Sequence, residues 1–154
     1  MAGFGRKSEG TLGAHFMPCA GPPLMKVGGV TIDWTVVTAA SSNTTLTSGR
    51  VISSGKKYLA AGAVLAMITA NHKYGPYKSG ASDGRQTLTQ GNCAILLSDV
   101  MEDDENSDHP PVAEGGAMYY DRIAGITSAQ GETNPSTSTL RAAFPLVQWV
   151  NTAG

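Results

Sequence analysis

The clearest shortage in this chain is charge. Only 15% of its 154 residues are charged, whereas a typical soluble domain has about 25%. The 11 basic and 12 acidic residues give a net charge of −1. This argues against general nucleic-acid binding, which needs a basic surface to release counterions. A surface so poor in charge is typical of a protein covered by partners, so the composition points to assembly.

Cysteines and long apolar runs are also scarce. The two cysteines, Cys19 and Cys93, are too few for a disulfide framework, so we expect both to be reduced thiols. The longest apolar stretch, at 59–70, is too short to span a bilayer, and the first residues lack the apolar segment of a secretory signal. We therefore expect no membrane partner. We also expect a protein that stays in the cytoplasm or leaves it only within or upon a larger object.

About half of the charged residues fall into two blocks of opposite sign. Six bases share one stretch with a single acid, Asp83: Arg50, Lys56, Lys57, Lys73, Lys78 and Arg85. Six acids then follow with no base among them: Asp99, Glu102, Asp103, Asp104, Glu105 and Asp108. The blocks either present both signs to neighbouring molecules or form two solvated loops.

Short strands separated by glycine-rich turns are the dominant pattern. Residues 30–37 alternate apolar and polar side chains, as a half-buried strand does. Five further segments are expected to be extended: 45–52, with a bulge or turn at Ser48-Gly49, then 63–70, 93–100, 117–125 and 146–150. Abundant glycine, threonine and valine support strands over exposed helices. The sequence therefore predicts an all-β fold, a small sandwich or barrel.

One short helix and one extended arm complete the predicted organisation. Residues 139–144 predict one or two helical turns, with Ser138 or Thr139 as N-cap and Pro145 ending the helix. Residues 1–29 contain seven glycines and three prolines among isolated apolar residues, which is not the pattern of a folded element. We therefore divide the chain into an N-terminal arm, 1–29, and a β-rich domain, 30–154.

The glycine-rich loop at 71–84 does not fit a phosphate-binding loop. Only three residues separate Gly80 from Gly84, where a P-loop needs four, and Arg85-Gln86 stands in place of Lys-Ser/Thr. We predict instead a hairpin over 71–77, with irregular backbone at Gly75-Pro76, and a tight turn at 82–84.

The acidic loop at 101–111 has part of the residue spacing of a calcium-binding loop. Asp104, Asn106 and Asp108 have the spacing that opens a calcium loop, but His109 and Gly115 stand where that loop requires glycine and glutamate. A partner-facing or solvated acidic loop fits better. No nucleophile elbow or triad spacing is present, so we predict no enzymatic activity, no cofactor and no metal. A metal-dependent enzyme using this loop is kept as a minor hypothesis.

The tyrosines suggest a second function class. Tyr74, Tyr77, Tyr119 and Tyr120, with Trp34 or Trp149, could form a face on which sugars stack. Core or interface packing is the alternative for aromatic residues on strands.

Residues 56–100 resemble a known family. The run KKYLAAGAVLAMITANHKYGPYKSGASDGRQT, followed by GNCAILLSDV, is similar to the lambda-type head-decoration proteins of tailed bacteriophages. The corresponding blocks are 62–69, 74–77, 82–84 and 91–100. Arg141, Ala143 and Phe144 match the family's C-terminal segment. The resemblance covers roughly 50–150, and the insertion DDENSDHPP and the segment 30–52 depart from it.

The resemblance implies a fold and a function. The expected fold is a β-tulip-like barrel or sandwich. The expected function is that of a homotrimer on the outer surface of the expanded phage head, at its local threefold axes. There it would bind the major capsid protein and stabilise the shell against internal DNA pressure, with its N-terminal arm on the shell. A carbohydrate-binding β-sandwich displayed on a particle is the alternative.

Candidate contact residues follow from this expectation. The candidates for the shell are Phe4, Arg6, Lys7, Leu12, His15 and Phe16. For the trimer interface we favour Phe144 and Trp149, with plain core packing as the alternative for Trp149.

Overall fold

The protein is a small all-β domain with one short helix, as the sequence predicts. The structure, a computed structural model, describes residues 18–123 and 135–150. The strands are β1 (Leu24–Met25), β2 (Thr44–Thr45), β3 (Val51–Ile52), β4 (Tyr58–Leu59), β5 (Val64–Met67), β6 (Tyr74–Pro76), β7 (Cys93–Leu96), β8 (Val100–Met101), β9 (Val112–Tyr119) and β10 (Leu146–Val150). The α-helix, α1 (Thr137–Ala143), has seven residues.

The main sheet is organised around β9, its longest strand. Its order is β1-β9-β7-β5-β6, and β10 also pairs with β9. Ala113 is paired with both β1 and β7, and Gly115 with both β1 and β10. Hence β1 lies along one edge of β9, while β7 and then β10 share the other edge. The β10 pairing is parallel, and the other pairings in this sheet are antiparallel.

The centre of the main sheet is buried on both faces. Leu65 and Leu96 pack on one face with Trp34, whereas Val64 and Ile95 pack on the other face, in the cluster that includes Phe144. Neighbouring residues of a strand point to opposite faces, so the continuous apolar runs of β5 and β7 fill both layers. The run 63–70 was expected to be a strand buried on both faces or nearly so; this holds as far as Ile68, but the strand ends at Met67, and Thr69 and Ala70 form an exposed turn.

The predicted strand at 30–37 is wrong in its backbone but right in its buried side chains. Val30, Ile32 and Trp34 are buried, but a single bridge at Ile32 precedes a 3-10 helix at Trp34–Val36. The carboxylate of Asp33 accepts hydrogen bonds from the backbone N–H of Thr35 at 3.0 Å and from its hydroxyl at 2.5 Å. This local capping turns the chain where the alternation indicated continued extension.

The segment predicted as a strand at 117–125 is also shifted. Strand β9 begins at Val112 and ends at Tyr119, and a 3-10 helix at Tyr120–Arg122 follows. The middle of β9 contains Gly115 and Gly116, which weaken a strand signal. Pairing with strands on both edges stabilises β9 there.

The turns and the helix are close to their predicted positions. The turn alternative at Ser48-Gly49 is confirmed, since β2 and β3 form a hairpin around it. A hairpin is present, but it pairs β5 with β6 around a turn at 68–73, so the predicted range 71–77 covers only its second half, and Gly75-Pro76 is a regular part of β6. The N-cap of α1 is Ser136, two residues before the earlier of the two candidates.

Candidate interaction surface

The described part of the predicted arm runs along one edge of β9, opposite the edge that pairs with β7 and β10. The backbone N–H of Tyr119 donates to the carbonyl of Pro18 at 2.7 Å, and that of Ala20 donates to Ala117 at 2.8 Å. Further along, Lys26 donates to Val112 at 3.1 Å. Residues 18–26 are therefore fixed to the main sheet by backbone hydrogen bonds, and the chain enters the described domain beside Tyr119.

The C-terminal strand ends at the same place. Val150, the last described residue, pairs with Tyr119 on the opposite edge of β9 from Pro18. Residues 1–17 and 151–154 therefore join the domain at one end of the main sheet. The shell-contact candidates Phe4, Arg6, Lys7, Leu12, His15 and Phe16 lie outside the described residues.

The two trimer-interface candidates differ in exposure. Phe144 is 2% exposed and contacts Trp149 edge-to-face, with ring centroids 6.5 Å apart. Trp149 is partly exposed and also meets Tyr120 edge-to-face at 6.0 Å. Phe144 is therefore too buried to contact another subunit directly and can affect an interface only by positioning Trp149. The exposed part of the Trp149 side chain can make such a contact directly. Both assignments to the trimer interface stay predictions.

The indole N–H of Trp149 is a hydrogen-bond donor without a partner among the described residues. It is buried, and the indole N–H of Trp34 is likewise buried and has no acceptor among those residues. A buried donor without a partner costs about 1–3 kcal/mol. Trp149 is next to Val150, the last described residue, and an acceptor from outside the described residues would recover that cost.

The opposite charges pair within the molecule. Both terminal nitrogens of Arg50 donate to Asp104, at 2.8 and 2.6 Å, and Lys56 donates to Asp103 at 2.8 Å. The hydrogen bonds from Arg50 hold the pKa of the Asp104 carboxyl below its usual range. The bases of 50–56 and the acidic loop therefore neutralise each other in part, an arrangement different from both alternatives given for these blocks.

In the acidic loop, the oxygens of the Asp104 carboxylate are hydrogen-bonded to other groups of the protein. Asp104 also accepts a hydrogen bond from the backbone N–H of Met101 at 2.9 Å. Within residues 18–123 and 135–150, no group of three or more His, Cys, Asp or Glu residues is placed to hold a metal ion.

The loop at 71–84 ends in the predicted turn. Asp83 accepts hydrogen bonds from the backbone N–H of Arg85 at 3.1 Å and from its side-chain Nε at 2.9 Å. Gly84 has a φ of +112°, and a Cβ atom there would lie 2.5 Å from the hydroxyl of Thr69 and 2.8 Å from the carbonyl of Met67. The loop is therefore a packed structural turn.

The candidate sugar-stacking residues do not share one face. Trp34 and Tyr74 belong to the cluster on one side of the sheet, while Tyr77, Tyr120 and Trp149 pack on the other. The sixth candidate, Tyr119, has its ring covered by the guanidinium of Arg122, 4.3 Å from the ring centroid.

Sequence reasoning missed a surface around Gly115. Leu24 of β1 and Leu146 of β10 are 48% and 55% exposed, and both approach the same face of Gly115. Next to them, a cleft of about 140 Å³ opens where β9 passes from β7 to β10, with Glu114 in its lining. Leu146 lies 31 residues after Gly115, and only the pairing of β10 with β9 brings them together.

Comparisons with known proteins add no relative. No family model, no curated protein and no solved structure matches the chain. None of the helices in the described residues is long and apolar enough to cross a membrane.

Proposed function

We propose that this protein is a structural component of a bacteriophage virion. It is a decoration protein that binds the outer surface of the expanded head as a homotrimer at local threefold axes. There it contacts the major capsid protein and stabilises the shell against the pressure of packaged DNA. In this role the protein has no catalytic activity and uses no cofactor.

The positions of the motif blocks support this proposal. The block 62–69 contains β5, 74–77 contains β6, and 91–100 contains β7 and the start of β8. The block 82–84 is the turn held by Asp83. The resemblance therefore rests on neighbouring strands of one sheet and on the turn beside them.

The observation that carries the proposal is the attachment of the N-terminal segment. Backbone hydrogen bonds fix the chain to β9 from Pro18 onward, and 17 residues precede this point. Fully extended, they reach up to about 55 Å from the domain. Such an arm can add a strand to a shell protein, with Phe4 and Phe16 setting the register.

Assembly as a trimer would strengthen this contact. Three arms bound at one threefold axis raise avidity by about 10²–10⁴ without any new contact. The low charge content of the chain suits a protein with much of its surface in contact.

Deleting residues 1–17 tests the arm. We expect the truncated chain to keep its fold and unfolding midpoint, because the described backbone pairing begins at Pro18, and to lose binding to expanded shells. The full chain with Arg6→Gln and Lys7→Gln, which keeps Phe4 and Phe16, separates the contribution of charge from that of the apolar anchors. Retained affinity after truncation would contradict the arm's role.

The carbohydrate-binding alternative gains nothing from the geometry. Its aromatic candidates are divided between two faces of the sheet, and one of them is covered by Arg122. A glycan array with the folded protein tests it directly, and specific glycan binding would restore it.

A further inference from the structure

Two edges of the main sheet are protected against pairing with another chain. The β6 edge is covered, because Tyr74 donates its backbone N–H to Thr31 at 2.8 Å and its carbonyl accepts that of Asp33 at 2.9 Å. At the other edge, β1 has two residues and follows Pro22 and Pro23, which have no N–H to donate. Short edge strands and prolines are devices that natural sheets use against edge-to-edge association.

The outer edge of β10 lacks these devices. Val147 donates its backbone N–H to the carbonyl of Phe144 at 3.1 Å, away from β9. Since alternate residues of a parallel strand face its partner strand, the backbone of Trp149 also points away from β9. Among residues 18–123 and 135–150, nothing pairs with the outward N–H of Trp149 or with the outward carbonyls of Val147 and Trp149. β10 is five residues long and contains neither proline nor charge, so it is open to a further strand.

The residues of β10 have the same chemical order when read from either end. Gln148 is the central residue, and two apolar residues flank it on each side, Leu146 and Val147 before it and Trp149 and Val150 after it. Two copies of the strand that run antiparallel about Gln148 would therefore place an apolar residue beside an apolar residue at the four remaining positions. This match favours a second copy of the chain as the occupant of the edge.

The outward backbone groups of β10 fit the same register. Val147 of one copy would lie opposite Trp149 of the other, and each Trp149 N–H would donate to the Val147 carbonyl across the contact. The Val147 N–H would keep its bond to Phe144. Gln148 would then face Gln148 in a non-hydrogen-bonded pair, with Cα atoms about 4.5 Å apart. A carboxamide has both donor and acceptor atoms, so the two side chains could bond each other.

The side chains of β10 would gain neighbours on both faces of the extended sheet. Val147 and Trp149 pack with Phe144 on one face, and each would lie beside the other residue of the second copy. On the opposite face Leu146, which is 55% exposed, would lie beside Val150. Such pairs of aromatic, branched and aliphatic residues stabilise antiparallel strands.

We propose that β10 pairs antiparallel with β10 of a second copy of this chain, about a twofold axis through Gln148. The two main sheets then form one continuous sheet. A pair of five-residue strands is smaller than a standard interface of about 1,600 Å², so the contact is weak in solution, with a Kd on the order of 0.1–1 mM. Such a contact is isologous and, in a homotrimer, joins subunits of two different trimers. The inference therefore goes beyond the decoration function and does not depend on it.

Disulfide trapping tests the register. In a Cys19→Ser background, Gln148→Cys places two thiols across the twofold axis, within the Cα separation of about 4.4–6.8 Å that a disulfide spans. Leu146→Cys is the matched control, because both positions are exposed but the two copies of Leu146 are offset along the strands by about 13 Å. We expect mild oxidation to give a covalent dimer at least about tenfold faster with Gln148→Cys than with the control.

Sedimentation of the full chain tests the contact without a disulfide. We expect the weight-average mass to rise with concentration up to about 1 mM, whatever the mass of the smallest species. Gln148→Lys should weaken this association at least about tenfold, because two ammonium groups then face each other across the axis. Val27→Lys, at a side chain that is 88% exposed at the far end of β9, is the control and should leave the association unchanged.

Two results would overturn the proposal. One is an equal rate of disulfide formation for Gln148→Cys and Leu146→Cys, in variants that keep the spectrum of the parent chain. The other is a Gln148→Cys dimer that forms only after residues 1–17 are deleted, since the arm of the same chain would then cover the edge.

Discussion

Arg50 and Asp104 form a bidentate ion pair that joins the β2–β3 hairpin to the acidic loop. The two nitrogen-to-oxygen distances are 2.8 and 2.6 Å, and both side chains are about one-third exposed, at 32% and 30%. The pair connects elements 54 residues apart in the chain. The small cluster of Ile52 and Tyr58 lies in the same region of the fold, with Met101 packed against it.

Removing either partner of this pair should destabilise the fold unequally. We expect Arg50→Ala to cost about 1 kcal/mol, the upper range for a partly exposed pair. Asp104→Ala should cost about 1–2 kcal/mol, because the backbone N–H of Met101 also loses its acceptor. Urea unfolding of both single variants and the double variant gives the coupling energy. Lys56→Ala, at a more exposed pair, is the control and should have little effect, and equal losses at all three sites would contradict this account.

The same pair predicts an acid dependence of stability. The pKa of Asp104 is lowered in the folded protein, chiefly by its hydrogen bonds from Arg50, so the unfolded state takes up its proton at a higher pH. This contribution to stability is present above about pH 4, the usual pKa of the group, and is lost as the pH falls through the lower folded pKa. Asp104→Asn should therefore reduce the fall in the free energy of unfolding between about pH 5 and pH 2. An identical pH profile in the variant would refute the assignment.

The turn at Ser82-Asp83-Gly84 should tolerate no side chain at its glycine. Gly84→Ala places a Cβ 2.8 Å from the carbonyl of Met67 in a left-handed conformation, and we expect a loss of about 2 kcal/mol or more. Gly80→Ala in the same loop is the matched control, since nothing lies within 4 Å of its Cβ and its φ is not in the left-handed range. Thermal unfolding of the two variants distinguishes them, and similar stabilities would show that the loop is not packed as described.

The two cysteines should react at very different rates. Burial raises the pKa of Cys93 to about 11, so roughly one molecule in a thousand carries its thiolate at pH 8, whereas Cys19 is partly exposed. Mass spectrometry after brief iodoacetamide treatment should find the label on Cys19, and both sites should be labelled in urea. Rapid native labelling of Cys93 would contradict its burial.

Sequence patterns predicted those elements whose stabilisation is local. The apolar runs of β5 and β7 predicted buried strands, and Asp83-Gly84 predicted a turn, because each signal lies within a few residues. The 3-10 helix after Asp33 was not predicted, because the residues around it alternate between apolar and polar as a strand does. The hydrogen bonds that the Asp33 carboxylate accepts from Thr35 turn the backbone in spite of this alternation.

The surface around Gly115 could not be predicted in this way. The two glycines of β9 weaken its strand signal, and partners on both edges of β9 stabilise it there. Leu24, Glu114 and Leu146 are unremarkable in the sequence and become a surface only when β1, β9 and β10 pair. The sequence contained no local signal for the cleft that Glu114 and Leu146 line.

Co-sedimentation of the full chain with empty shells of the cognate phage tests the proposed function most directly. One sample contains unexpanded shells and the other contains shells after expansion. We predict saturable pelleting with expanded shells only, at a stoichiometry of three chains per local threefold axis. Failure to pellet with expanded shells, by a chain whose folding is confirmed in the same preparation, would contradict the assignment as a decoration protein.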